Sequence, residues 1–128
     1  MRRPLAAIAV AVVALSGCGR REGPVERTTT VRASDAVAIV GTEYRFDPGT
    51  VVVSADHDQP LKIALRNRGV LAHNVKVFAG ERELGGSPTF QGDETRIGEL
   101  ALKPGVYRLV CTVGDHEKLG MVGRLEVK

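Results

Sequence analysis

The sequence predicts an all-β fold, an antiparallel β-sandwich of about seven to eight strands, and three observations point to it. Strand-like runs recur at about 36–46, 50–54, 60–67, 73–79, 94–102, 105–111 and 121–127, punctuated by Gly49, Pro60, Gly69, Gly80, Gly92 and Pro104-Gly105. No stretch shows helical periodicity, and no segment repeats. Residues 35–128 are enough chain for a single core and too little for two.

The chain opens with Met1-Arg2-Arg3 and an apolar run from Leu5 to Leu15, the pattern of a secretory signal and too short for a membrane-spanning helix. Leu15-Ser16-Gly17-Cys18 resembles a bacterial lipobox, which implies removal of residues 1–17 and acylation of the Cys18 thiol. Several acyl chains on one residue anchor stably, since each buried CH₂ contributes about 0.8 kcal/mol and a single chain is marginal. The protein is expected on the outer face of a bacterial membrane, at the cell surface or on the periplasmic side, held there by lipid and not spanning. Residues 19–34 are polar, rich in Arg, Glu and Thr, and lack apolar periodicity, so 18–34 reads as a lipidated, disordered tether and 35–128 as the domain. Twelve basic and thirteen acidic residues lie from Asp35 onward. The basic excess therefore belongs to the leader and tether, and charge gives no support to nucleic-acid binding.

Within the domain, Leu61, Ile63 and Leu65 alternate with Lys62, Ala64 and Arg66, as in a strand with one buried face. Val75 and Val77 share the face of His73. Residues 79–93 are interrupted by Gly85-Gly86-Ser87-Pro88 and promise no regular element, although Phe90 is large enough to cover a sheet edge. Near the C-terminus, Tyr107, Leu109 and Cys111 share one face of a strand, and Met121, Gly123, Leu125 and Val127 one face of the next. Both sulfurs, Cys111 and Met121, then point inward.

The stretch from Cys111 to Met121 places three soft or borderline metal ligands in one short loop. If its flanking strands pair, Cys111 closes one and Met121 opens the other, with His116 on the loop between and His73 arriving from an earlier strand. Two imidazoles, a thiolate and a thioether form the His₂Cys-plus-axial-Met set of mononuclear blue copper. Singly, Cys111 and Met121 are ordinary core residues, His73 a satisfied core imidazole and His116 a solvated loop residue. Their joint placement is what the ordinary readings leave unexplained. Cys18 is consumed by the lipobox, which leaves Cys111 a lone thiol in an oxidising compartment, where burial or coordination protects it. Zinc accepts His₂Cys but gains little from a thioether, and a binuclear copper centre needs a second loop Cys. A Cys–His nucleophile lacks an orienting third group, so no catalytic residue is assigned. His57, between Asp56 and Asp58, reads as a solvent-exposed turn residue.

The line Tyr107 to Val127, with C-x₄-H-x₄-M-x-G, resembles the ligand loop of the cupredoxins, the plastocyanin and azurin family. Tyr44-Arg45-Phe46-Asp47-Pro48, Val51 to Val53, Leu61 to Asn67 and His73-Asn74 are similar to the family's earlier strands, so the likeness covers about the last three-quarters of the chain. One departure is that Gly114-Asp115 precede His116, and Glu117-Lys118 follow it, where family loops often carry Pro-Gly before the second His. The resemblance implies a Greek-key sandwich holding one copper ion through His73, Cys111, His116 and Met121, with Asn74 tying the two ligand segments together. It implies a monomeric carrier, not an enzyme, that passes single electrons between a redox-protein donor and acceptor. The His116 edge would be the exit, with Val70, Leu71, Leu119 and Gly120 around it and Asp115, Glu117 and Lys118 steering a partner. The alternative is copper capture, delivery or tolerance with the same ligands; a metal-free structural sandwich is the third reading.

Overall fold

A computed structural model describes residues 27–54 and 59–128. Ten strands lie among the described residues: β1 (Thr28–Arg32), β2 (Val37–Thr42), β3 (Arg45–Asp47), β4 (Thr50–Ser54), β5 (Leu61–Asn67), β6 (Lys76–Ala79), β7 (Arg82–Gly86), β8 (Thr95–Leu100), β9 (Gly105–Val110) and β10 (Val122–Val127). They form two sheets, one ordered β1-β4-β10-β9-β6-β7 and the other β3-β2-β5-β8. No helix among the described residues is long and apolar enough to cross a membrane.

Alternation along the strands fills the space between the sheets. Val37, Ile39, Phe46, Leu61, Ile63 and Leu65 from the smaller sheet join Val51, Val53, Val77, Leu109 and Leu125 from the larger one, all at most 1% exposed. Each such side chain contributes roughly 1.5–3 kcal/mol on full burial, so this apolar layer is the main stabilising term. Cys111 and Met121 belong to the same cluster. Both sulfurs are therefore rooted in the core itself.

Four expectations are corrected. The sandwich is mixed, not purely antiparallel: β1 and β4, β4 and β10, and β2 and β5 pair in parallel. Alternation fixes which face a residue occupies and is blind to strand direction. Direction is set by the connection, and the link from β2 to β5 passes through β4 in the opposite sheet. The run at 36–46 is two strands, β2 and β3, joined by a turn at Glu43-Tyr44. The disordered tether does not extend to residue 34, because Thr28–Arg32 pairs with Thr50–Ser54 at the sheet edge. Its signal lies in β-branched Thr28, Thr29, Thr30 and Val31, residues that suit a pleated surface without any apolar alternation.

Residues 79–93, expected to be irregular, contain β7 paired with β6. The glycines there permit close packing in place of breaking the strand. At Gly86 (φ 144°) a Cβ would lie 2.1 Å from the Val75 carbonyl oxygen, so only glycine lets the chains approach. Cys18 and His57 lie outside the described residues.

Candidate metal centre

Two separate segments deliver the donors. His73 precedes β6 and is fixed through its backbone: its N–H donates to the Phe90 carbonyl (3.0 Å) and its carbonyl accepts from Phe90 N–H (3.1 Å). Cys111 follows β9, and its N–H donates to the Met121 carbonyl (3.1 Å), closing the base of the ligand loop. Inside the loop, His116 N–H donates to Val113 O and Met121 N–H to His116 O, each at 3.0 Å. These bonds coil residues 113–121 tightly enough to turn His116 back over the strand ends. The loop's length thus becomes a defined position for an imidazole.

His73, Cys111 and His116 converge, with one donor atom from each lying within 4.8 Å of the others. Cys111 Sγ is 3.5 Å from His116 Nδ1 and 3.9 Å from His73 Nδ1. Metal bonds of about 2.0–2.3 Å at trigonal angles would separate neighbouring donors by about 3.5–3.8 Å, so the spacing suits one ion. The cluster fits a single copper ion, since thiolate and imidazole are both donors that copper accepts. His73 and Cys111 are fully buried, and His116 is 7% exposed. Burial lowers the pKa of His73, opposed by its hydrogen bond to Glu43 and aided by nearby His116. A depressed pKa favours the neutral imidazole, the form that binds metal.

Met121 is fully buried in the core beside this cluster. Asn74, 2% exposed, links the two ligand segments. Its Nδ2 donates to Thr112 Oγ1 and Thr89 Oγ1, both at 2.8 Å, while its Oδ1 accepts from Thr112 N–H at 2.9 Å. The neighbours in sequence of His73 and Cys111 are thereby clamped to each other.

At the surface, Val70, Leu71 and Leu119 are 77%, 37% and 50% exposed. Asp115, Glu117 and Lys118 are exposed too, and Glu117 is paired with Arg108.

Sequence reasoning missed Glu43, Tyr44 and Phe90 as neighbours of this cluster. Glu43 Oε1 accepts from Val70 N–H (2.7 Å) and Leu71 N–H (3.1 Å) and lies 3.4 Å from His73 Nε2. The Leu71 N–H above all, then that of Val70, lowers the Glu43 carboxyl pKa against the opposing effect of desolvation. The Tyr44 ring meets His116 edge-on at 5.1 Å between centroids. No local pattern announces contacts made between residues 17 to 72 positions apart, as Phe90 with His73 (90 − 73 = 17) and Tyr44 with His116 (116 − 44 = 72) are.

No protein-family model matches the sequence, and no curated protein matches it. Among solved structures, the chain is similar to dithionite-reduced auracyanin from the photosynthetic bacterium Roseiflexus castenholzii, with 17% identity, a TM-score of 0.63, and coverage of 75% of this chain and 98% of that one. It is also similar to auracyanin A, a "blue" copper protein from the green thermophilic photosynthetic bacterium Chloroflexus aurantiacus: 23% identity, TM-score 0.59, covering 80% and 100%. A purple cupredoxin from Nitrosopumilus maritimus matches at 17% identity and TM-score 0.52 over 73% and 100%. Identities this low establish a shared fold.

Proposed function

We propose that this chain, which has the cupredoxin fold, is a type 1 copper protein carrying single electrons between redox proteins at a bacterial membrane surface. The observation that carries this reading is the convergence of His73 Nδ1, Cys111 Sγ and His116 Nδ1 from segments 38 residues apart. These three residues would hold the ion, with the Met121 thioether as a weak fourth donor. Copper bound there supplies a one-electron Cu(I)/Cu(II) couple.

The protein's part is to keep the ligands still. Core burial of His73, Cys111 and Met121, with the Asn74 clamp, limits their movement when the charge of the site changes. Little rearrangement means a low barrier to transfer. His116 is the one ligand of the four with any appreciable exposure, which favours its edge as the route for electrons. Exposed Val70, Leu71 and Leu119 offer apolar surface for a partner, and Asp115, Glu117 and Lys118 offer charge that steers it. Closed burial favours retention of the metal, and so electron transfer over copper delivery.

The lipobox at Cys18 supports anchoring of a monomer on the outer face of the membrane, by sequence alone. Reconstitution with Cu(II) tests the central reading: the oxidised protein should absorb intensely in the visible through thiolate-to-copper charge transfer, bleach with ascorbate, and lose its colour in Cys111→Ser. Stoichiometric copper binding without colour in the oxidised wild type would sink it.

A further inference from the structure

The turn between β2 and β3 reaches both imidazoles. Thr42 and Arg45 pair across the hairpin, leaving Glu43 and Tyr44 as its two turn residues. Tyr44 adopts φ 61°, a left-handed conformation that bulky residues seldom occupy. Strain of this kind persists where the surroundings over-determine it, and here they do. Glu43 is drawn toward His73 while Tyr44 is drawn onto His116.

The Glu43 contact has a defined polarity. His73 turns Nδ1 toward Cys111 and Nε2 toward Glu43. For Nδ1 to offer its lone pair, the ring proton must reside on Nε2, which faces carboxylate Oε1 at 3.4 Å. That oxygen is held by the N–H groups of Val70 and Leu71, so it does not depend on His73 for its position. Gly69 provides the space. A Cβ there would lie 2.3 Å from Glu43 Oε1 and 2.8 Å from His73 Nε2, so any larger residue would wedge into the contact.

We propose that Glu43 is a positioning residue for the metal centre, fixing the His73 tautomer with Nδ1 free and biasing the site toward its oxidised state. The inference rests on the copper reading and extends it to the potential. Negative charge at the far side of the ring raises the basicity of the ligating nitrogen, which favours the more highly charged ion. The neighbouring Tyr44 contact holds the other imidazole, so one hairpin sets both rings.

Two variants break the contact in different ways. Glu43→Leu removes the acceptor oxygen together with its charge; Gly69→Ala keeps both and inserts a methyl group. Thermal melts establish that each is folded, and Glu43→Leu alone decides the matter if Gly69→Ala is not. In the metal-free proteins, nitrogen–proton correlation spectra should show His73 protonated at Nε2 in the wild type and a tautomer mixture in the variants. In the copper-loaded proteins, the ratio of Cu(II) to Cu(I) affinity should fall about tenfold, a rise in potential of about 59 mV for one electron. Folded variants with the wild-type His73 signal would overturn the proposal, as would an unchanged potential in coloured variants. Because the tautomer is read without metal, failure of the copper reading would appear separately, as a colourless wild type.

Discussion

Met121 has no exposed surface, yet core packing alone leaves its type underdetermined. Leucine has nearly its volume, and such an exchange in a core usually costs under about 1.5 kcal/mol. Met121→Leu is therefore expected to fold and to keep its colour, since His73, Cys111 and His116 remain. Its reduction potential should rise, because losing the thioether removes electron density that favours Cu(II) over Cu(I). Voltammetry beside the absorption spectrum checks both points. A sharp fall in Cu(I) affinity, with ready copper release and slow electron self-exchange, would instead mark a carrier that delivers copper.

At the level of elements, the candidate site depends on a joint between two segments that adjoin the paired strands β6 and β9. The segment entering β6 carries His73, the loop leaving β9 carries Cys111 and His116, and Asn74 spans them with two hydrogen bonds to Thr112 and makes a third to Thr89. Asn74→Ala leaves the Thr112 N–H and two hydroxyls without that partner, at a cost of roughly 1–3 kcal/mol. The expected result is a lower melting temperature together with faster copper loss. A double-mutant cycle with Thr112→Val should show coupling through the hydroxyl bond, whereas additive losses would leave the joint to the Thr112 N–H bond, which valine keeps. The β2–β3 hairpin is a second joint, unseen in the sequence. An apolar run ending in Thr42-Glu43-Tyr44-Arg45 reads as one strand until the chain is seen to reverse there.

For the whole molecule, the proposed lipid site, the folded domain and the proposed docking end fall in different parts of the chain. Cys18 is the anchoring point the lipobox implies, and the strand Thr28–Arg32 brings the start of the folded region to the edge of the larger sheet. The stretch between Cys18 and the first strand is thus shorter than composition alone suggests. Cys18→Ala should abolish labelling by fatty acid and partitioning into a detergent phase while copper binding persists. Equal partitioning of mutant and wild type would argue against lipidation. The domain's nearly balanced charge leaves steering to local groups such as Asp115 and Lys118, so mutating these should alter the salt dependence of partner association more than the potential.

The all-β class, most strand positions and the identities of the three clustered donors are legible in the residues alone. Those properties are written in short-range terms: alternation decides which side chains face inward, and the Cys111-to-Met121 spacing confines a thiolate and an imidazole to one loop. The parallel pairing of β2 with β5 and of β4 with β10, the strand hidden in Thr28–Arg32, and the approach of Glu43 and Tyr44 to the imidazoles emerge only in three dimensions. Strand direction and long-range contact follow from how connections cross between sheets, and the period-two pattern of a strand is the same whichever way its neighbour runs.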